Sequence, residues 1–369
     1  MTVIFIEFSI VLIGMAMTAI LFHRFPVLPE ATDDTQQTPT VSVIIPARNE
    51  ESNLPLLLSD LGDQTLSATE IIVVDDASED ATSRVALEYG AKLVRLDSKP
   101  EGWTGKSWAC KNGVDAAKSE LLLFLDADVR LGRDAIKALV QAYLKEGSAI
   151  SVQPYHKTEK LYEQFSIFFN LIQIAANGTA LPKPINIGLY GPVILISGQD
   201  YVKSGGHESV RKSVVEDMAL GAQLRKTGVP YRLFIGNPSV SFRMYAGGFH
   251  ALLQGWTKNI ASGAARTPPV LFAMVFLWIT SLLSVPIQMI KTLMSANWSW
   301  LITYSILYLA WVIVVILLAK HFGRFKLWTL IFYPVLMIVM SGIFVLSAIK
   351  KIFGLKVKWK GREIETGET

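Results

Sequence analysis

The sequence predicts an α/β domain joined to membrane-spanning helices. From residue 41 onward, short β-branched runs alternate with segments of helical spacing, and polar residues follow several of these runs. Long apolar stretches lie near both ends of the chain. Hydrophobic residues make up 51% of the 369 residues and charged residues only 18%, and the mean hydropathy is positive. This composition is typical of an integral membrane protein with a sizeable polar part.

The net charge and the cysteine count limit which classes of protein fit the sequence. The net charge of +4 does not indicate nucleic-acid binding, because Lys and Arg also collect at the cytoplasmic ends of membrane helices. The single cysteine, Cys110, excludes an internal disulfide framework and a zinc cluster built from several cysteines.

The first apolar stretch, residues 3–22, is long enough to span a bilayer as a helix. A cleaved signal peptide is the alternative, and it requires a basic start. Here the start carries Glu7 and no basic residue, and Arg24 follows the stretch. We therefore expect a transmembrane anchor over residues 1–24, with the polar region after it in the cytoplasm.

A linker over residues 25–40, rich in Pro, Thr, Asp and Gln, precedes the predicted α/β domain at 41–265. Strands are predicted at 41–45, 70–74, 92–96 and 121–125, and helices at 53–61 and 81–89. Strands that alternate with helices predict a parallel sheet covered on both faces. Ligands of such sheets bind beyond the carboxyl ends of the strands, where the polar clusters of this sequence lie.

Membrane helices are predicted over residues 266–350, followed by a basic C-terminal tail over 351–369. The apolar segments lie at 270–290, 300–319 and 328–349. Three crossings after a cytoplasmic domain leave the tail outside, whereas the positive-inside rule places it inside. A re-entrant segment and a further crossing both resolve this conflict. A shorter apolar patch at 165–176 is expected to lie on the membrane surface.

The strongest candidate site is Asp126-Ala127-Asp128, directly after the apolar strand at 121–125. Side chains two apart on a strand point to the same face, so the two carboxylates can share a hard divalent cation. Such a cation neutralises a diphosphate and helps it to leave. The alternative is a pair of solvated acids in a turn.

Candidate nucleotide-binding residues follow the first two strands. Asp76 can accept hydrogen bonds from a base or a ribose, or Asp75-Asp76-Ala77-Ser78 can form an Asx turn or a helix cap. Pro46 ends the first strand, where Arg48 can pair with phosphate and Glu50 can help to hold the nucleotide. The acids at this point can equally start a helix.

Lys106 precedes a helical stretch, where a phosphate contact and simple exposure are both plausible. Glu216 and Asp217 begin another helical pattern, either as caps or with one carboxylate as general base. His207 follows two glycines and either lines the site or has a structural role.

Gln254 and Trp256 lie just before the membrane segments. The Trp256 ring offers an apolar face to a sugar or acceptor, or else serves in packing or as an interfacial anchor.

Taken in order, five motifs resemble the family-two glycosyltransferases with a GT-A fold, a Rossmann-like nucleotide-diphospho-sugar transferase fold. They lie at 41–50, 73–78, 126–128, 216–217 and 254–256. The resemblance implies inverting transfer from a UDP-sugar, helped by Mg²⁺ or Mn²⁺. It further implies that Asp76 contacts the uridine, that Asp126 and Asp128 hold the metal, and that Asp217 is the base.

A closer resemblance, to the carotenoid-acid branch of this family, covers nearly the whole chain. It rests on the segments 103–107, 151–156, 205–207, 242–245, 254–258 and 359–362. It implies transfer of glucose from UDP-glucose to the carboxyl group of a C30 carotenoid acid, by a multi-pass cell-membrane enzyme. The Gln-x-x-Arg-Trp signature of processive synthases is absent, since Gln254-Gly255-Trp256-Thr257-Lys258 stands in its place.

The acceptor determines how much a base matters. A carboxylic acid has a pKa near ~4 and is ionised at neutral pH, whereas an alcohol must lose a proton. We therefore expect Asp217 to be dispensable for a carotenoid acid and necessary for an alcohol. Other lipid acceptors, such as diacylglycerol, a hopanoid or a polyprenyl phosphate, remain open, as does a non-catalytic nucleotide-binding scaffold. A transporter does not fit, because the apolar segments are few and lack buried charges.

Overall fold

A computed structural model describes residues 2–33, 38–359 and 362–364 of the chain. The helices are α1 Thr2–Leu21, α2 Leu54–Gly62, α3 Thr82–Glu88, α4 Gly105–Ala116, α5 Ala135–Glu146, α6 Ser166–Asn177, α7 Gly198–Lys203, α8 Glu216–Lys226, α9 Phe249–Ala264, α10 Pro269–Met294, α11 Trp298–Phe322, α12 Leu327–Ile331 and α13 Tyr333–Ile352. The strands are β1 Val41–Ala47, β2 Glu70–Asp75, β3 Lys92–Arg95, β4 Leu121–Leu125, β5 Val129–Leu131, β6 Ala149–Gln153, β7 Tyr155–Lys157, β8 Val193–Ser197, β9 Tyr231–Ile235, β10 Val240–Phe242, β11 Gly323–Arg324, β12 Val357–Trp359 and β13 Arg362–Ile364.

The chain divides into two compact units. One unit, called here the sheet unit, contains Pro26–His156, Asn186–Met244 and the chain from Lys350 onward. The other, the helical unit, contains Met1–Phe25, Lys157–Ile185 and Tyr245–Ile349. Segments 157–185 and 245–265, which the sequence analysis assigned to the α/β domain, are thus grouped with the helical unit. The reason is that α6 packs on α10 and α11 with its apolar face.

The sheet unit is built on a seven-stranded sheet in the order β3-β2-β1-β4-β8-β6-β9. Strands β3, β2, β1 and β4 are parallel, as the sequence predicts. The expectation of a wholly parallel sheet is wrong for β8, which runs antiparallel to both β4 and β6. Because of this direction, β8 begins beside the carboxyl end of β4, and Asp126 N–H donates to Pro192 O over 2.9 Å.

Both faces of this sheet are covered. Val43 and Ile45 of β1 point into a core shared with α2 and α5. Ile44 points to the opposite face, where α4 lies so close that a Cβ on Gly113 would stand 2.4 Å from Ile44 Cγ2. Burial along β1 and β4 therefore reflects two-sided packing, which is why β4 reads as an unbroken apolar run. A smaller sheet places β10 between β5 and β7.

In the helical unit, α10, α11 and α13 are each long and apolar enough to cross a membrane. Helix α1 is also apolar and packs along α10. A glycine permits this close approach, since a Cβ on Gly14 would stand only 2.1 Å from Ser281 Cβ. Ser281 Oγ also donates to Val11 O over 2.9 Å. Small residues at helix contacts are a common means of packing in membranes.

Gly14→Ala should therefore destabilise the helical unit, because the new methyl group overlaps Ser281. Overpacking of this kind costs roughly 1–3 kcal/mol, so the thermal unfolding midpoint in detergent should fall. Gly342→Ala is the matched control, because a Cβ at that position in α13 meets nothing within 4 Å. Equal midpoints for the two variants would contradict the proposed contact.

Candidate active site

The sheet unit contains a cavity at the carboxyl end of β4. Its described lining residues come from β1, α4, β4, β8, α8 and three connecting segments, and they are Pro46, Lys106, Cys110, Phe124, Leu125, Asp126, Gly191, Ile194, His207, Glu216 and Asp217. Six of the residues proposed from the sequence thus lie together here: Pro46, Lys106, Asp126, His207, Glu216 and Asp217. This is the position that ligands occupy in open α/β sheets.

An ion cluster centred on Lys106 organises the cavity. Lys106 Nζ lies 2.6 Å from Asp126 Oδ1 and 3.2 Å from Glu216 Oε1, so it joins α4, β4 and α8. Burial alone would lower the pKa of Lys106, but the carboxylates of Asp126 and Glu216 outweigh it and raise that pKa well above its usual value. Lys106 is therefore a permanent cation, although a third of its side chain remains exposed.

Asp217 stands beside this cluster at the start of α8. Burial and the neighbouring Glu216 carboxylate raise the pKa of Asp217 to about 6, while Lys106 opposes the shift. Asp217 Oδ1 accepts the backbone N–H of Met218 over 2.8 Å. A carboxylate whose pKa lies near neutrality, inside a cavity, has the properties of a general base.

Glycines leave the space that allows Asp217 to lie in the cavity. A Cβ on Gly191 would lie 2.8 Å from Asp217 Oδ2, so a side chain there would displace the carboxylate. A Cβ on Gly188 would lie 2.6 Å from Met218 Cα, and one on Gly221 would lie 2.6 Å from Leu189 N. The loop before β8 and helix α8 therefore approach closely, backbone against backbone. Sequence reasoning missed Gly191, because no local signal reveals a contact between residues this far apart in the chain.

The turns after β1 and β2 are hydrogen-bonded to one another. The Arg48 guanidinium donates to the carbonyl oxygens of Asp76 (2.7 Å) and Ala77 (2.8 Å), so its observed contacts brace the turn after β2. Glu50 Oε2 accepts a hydrogen bond from Asn53 Nδ2 over 2.8 Å, close to the start of α2. The phosphate and nucleotide contacts expected of Arg48 and Glu50 remain predictions.

The two acids after β2 are used differently. Asp75 is the turn former, because it accepts the Ser78 N–H over 2.9 Å and the Ser83 hydroxyl. Asp76 is also buried, at 6% exposure, and its N–H donates to Ala47 O over 2.9 Å. The structural alternative of an Asx-type turn thus applies to Asp75, and a nucleotide contact by Asp76 remains a prediction.

Asp126 and Asp128 lie in the turn that links β4 to β5, and both are half-buried. The Val129 N–H closes this turn on Asp126 O over 3.1 Å. Among the described residues, no group of three or more His, Cys, Asp or Glu side chains is arranged to hold a metal ion. Two carboxylates with substrate phosphates as further ligands form the set that Mg²⁺ usually takes, so the residues fit a metal bound together with a nucleotide.

Cys110 is a further cavity residue that the sequence analysis did not propose. It follows Lys106 by four positions on α4, so the helical spacing places both on one face. Burial raises the pKa of the Cys110 thiol, and Lys106 only partly offsets the rise. The thiol therefore contributes shape and apolar surface to the cavity.

Gln254 and Trp256 lie on α9 in the helical unit. Trp256 is fully buried and stacks on Phe169, with ring centroids 5.2 Å apart and planes inclined by 5°. This geometry gives Trp256 a packing role and does not support the expected contact with sugar or acceptor. Gln254 Nε2 lies 2.8 Å from His250 Nε2.

Comparisons with known proteins agree with this geometry. The family model described as glycosyl transferase family 2 matches residues 42–186. The chain is 35% identical, over 96% of its length and 96% of theirs, to proteins named 4,4'-diaponeurosporenoate glycosyltransferase from Staphylococcus aureus strains USA300 and MRSA252. The chain therefore belongs to glycosyl transferase family 2, and it is a glycosyltransferase with a GT-A-type α/β fold.

A solved structure supports the fold. It is the mannosyltransferase PcManGT from Pyrobaculum calidifontis, in complex with GDP-Man and Mn²⁺. The two proteins superpose with a TM-score of 0.55 at 17% sequence identity, over 93% of this chain and 99% of the other.

We expect Mn²⁺ to bind this protein tightly only when UDP is present, because the described residues supply fewer than three ligands. Titration of free Mn²⁺ by electron paramagnetic resonance, with and without UDP, measures this. Mutation of residues that merely support metal ligands costs about 10–100-fold in affinity, so Asp128→Asn should weaken UDP-dependent binding at least about tenfold. Asp97→Asn, at an exposed position, is the control. Equally tight binding without UDP would contradict the expectation.

Proposed function

We propose that this enzyme transfers glucose from UDP-glucose to the carboxyl group of a C30 carotenoid acid, 4,4'-diaponeurosporenoate, and so forms a glycosyl ester. The observation that carries the proposal is the cavity at the end of β4, where one lysine and three carboxylates meet: Lys106, Asp126, Glu216 and Asp217. The identity of the acceptor is supported by the relatives named above, which match 96% of the chain.

In this reaction a carboxylate oxygen of the acceptor forms a bond to C1 of the glucose. The bond between C1 and the diphosphate oxygen breaks, and UDP leaves with the electron pair. No proton has to be removed, because a carboxylic acid with a pKa near ~4 is already ionised. Attack from the face opposite the leaving group inverts the configuration at C1, as the family implies.

Several of the candidate residues have a place in this reaction. Asp76 accepts hydrogen bonds from the uridine, and Pro46, Arg48 and Glu50 shape the adjoining turns. Lys106 is the one Lys or Arg among the described residues that line the cavity, and a cation beside the diphosphate would stabilise the charge that develops on the leaving group.

Asp126 and Asp128 would hold Mg²⁺ or Mn²⁺. The metal, when bound, supplies a second positive charge to the diphosphate. The Lys106 ammonium contacts Asp126 Oδ1, so Asp126 would both pair with Lys106 and help Asp128 to hold the metal.

The proposed setting is the cytoplasmic face of the cell membrane. The helical unit carries three candidate spans, and an acceptor this apolar resides in the bilayer. Arg24 follows the first apolar segment, and UDP-sugars reach the sheet unit only if it faces the cytoplasm.

A membrane-lipid alcohol is the second candidate acceptor, and one observation favours it. The raised pKa of Asp217, about 6, suits the removal of a proton from a hydroxyl group, which a carboxylate acceptor does not require. Diacylglycerol or a hopanoid alcohol would then take the place of the carotenoid acid.

Membranes containing the protein should transfer label from radioactive UDP-glucose into a carotenoid ester when diaponeurosporenoic acid is added. Asp128→Ala should abolish the transfer, whereas Asp97→Asn should retain it. Label in another lipid would still demonstrate glycosyltransferase activity, but it would refute the carotenoid acid as the acceptor. Failure with every UDP-sugar tested would favour a nucleotide-binding scaffold.

Asp217→Asn should separate the two acceptor classes. Transfer to a carboxylate should persist within about tenfold of wild type, since no proton is abstracted, whereas transfer to an alcohol should fall by ~10²–10⁴-fold. With wild type and an alcohol, the rate should rise as pH increases through about 6, because Asp217 loses its proton there. The Asp217→Asn variant should lack this rise in rate with pH. Complete loss of transfer to the carboxylate would refute the inference that a carboxylate acceptor does not need Asp217 as a base.

A further inference from the structure

His207 is held in the cavity by a neighbour that the reaction above does not use. The Tyr201 hydroxyl, on α7, accepts the backbone N–H of His207 over 3.0 Å and lies 3.0 Å from Nδ1 of the same residue. Phe124 of β4 packs on both rings, with centroids 5.1 Å from His207 and 5.8 Å from Tyr201. Both His207 and Tyr201 are buried, at 2% and 6% exposure.

A glycine makes this arrangement possible. Gly206 has φ +49°, and a Cβ at this position would lie 2.4 Å from both Cε1 and Cζ of Tyr201. The chain can therefore fold over the tyrosine ring only without a side chain at residue 206. This close approach brings both the backbone N–H and the ring of His207 to the same hydroxyl.

The hydrogen bonds determine which ring nitrogen carries the proton. Burial lowers the pKa of His207 to about 4, so the imidazole is neutral and has a single N–H. If Nδ1 carried that proton, the Tyr201 hydroxyl would accept two hydrogen bonds. Its own buried hydrogen would then lack an acceptor in the described part of the chain. In the alternative arrangement, the Tyr201 hydroxyl donates its hydrogen to Nδ1, and all of these groups have a partner. The imidazole proton is then on Nε2.

The Nε2–H group is then available to a ligand. Tyr201 contacts the Nδ1 side of the imidazole and does not line the cavity. His207 does line the cavity. Among the described lining residues, Lys106 and His207 carry the side-chain N–H groups, and Lys106 Nζ already contacts Asp126 and Glu216. His207 thus offers a donor without adding a charge that those carboxylates would attract.

We propose that Tyr201 holds His207 as the Nε2–H tautomer, and that this N–H donates a hydrogen bond to the acceptor carboxylate. The bond goes to the oxygen that does not attack C1, and it keeps the other oxygen directed at the sugar. Tyr201 is a positioning residue, and His207 is the residue that contacts the acceptor. The tautomer rests on the hydrogen bonds and the burial of His207, whereas the carboxylate partner rests on the proposed function.

Nitrogen-15 NMR of the histidine-labelled full-length protein in detergent tests the tautomer without any turnover. His207→Gln identifies the His207 signals by difference among the five histidines. The spectrum should show a protonated Nε2 and an unprotonated Nδ1. Tyr201→Phe should shift the Nδ1 signal, whereas Tyr89→Phe, at an exposed tyrosine, should leave it unchanged. A protonated Nδ1 in the wild-type protein would overturn the proposal.

Kinetics test the partner of the N–H group. His207→Leu should raise the KM for the carotenoid acid by ~10- to 100-fold, the effect of losing a hydrogen bond to a charged group, and leave the KM for UDP-glucose within about twofold. His207→Gln, whose amide retains an N–H, should recover part of the loss. A rise in the KM for UDP-glucose instead would overturn the acceptor assignment.

Failure of the proposed function would give a different result. Wild-type enzyme that glycosylates only a lipid alcohol would refute the carboxylate partner together with the carotenoid acceptor. The NMR experiment would still decide the tautomer. His207→Leu is replaced if it does not fold, as judged by its thermal unfolding midpoint. The KM for the carotenoid acid is then compared between Tyr201→Phe and its control Tyr89→Phe.

Discussion

The ammonium group of Lys106 is the interaction on which the cavity depends. Three carboxylates, those of Asp126, Glu216 and Asp217, line one small space, and like charges this close disfavour ionisation. Lys106 contacts the first two directly and lowers the pKa of the third. It also ties α4 to the end of β4 and to the start of α8. The same cation thus links the elements that shape the site and opposes the rise in the pKa of Asp217.

The direction of β8 is the second constraint. An antiparallel strand between β4 and β6 enters the sheet from the edge where ligands bind. The preceding loop therefore lies at the end of β4, and Gly191 provides the gap that Asp217 occupies. A parallel β8 would begin at the opposite edge, and α8 would lose the loop against which it packs. The mixed sheet thus brings residues 126 and 217, which are 91 positions apart in the chain, to one cavity.

The sequence predicted the parts of the fold that depend on local patterns. Strand β4 begins and ends at the predicted residues, because its five apolar side chains are buried on both faces and polar residues flank it. The site residues that follow strands or begin helices, such as Asp126 and Glu216, were also recognisable. The antiparallel β8 was not, since a short apolar run carries no information about strand direction. Tyr201 and Gly191 were missed for a related reason: their roles come from contacts that only the folded chain creates.

The properties of Asp217 connect the geometry to the choice of acceptor. Its pKa is raised because charge is costly at this buried position, and a second carboxylate brought beside it would raise that pKa further. An acceptor carboxylate would therefore tend to leave Asp217 protonated and able to donate a hydrogen bond. An alcohol brings no charge, so Asp217 would stay available as a base. The same residue would thus have different roles with the two acceptors, so we expect the acceptor, more than the fold, to determine what Asp217 does.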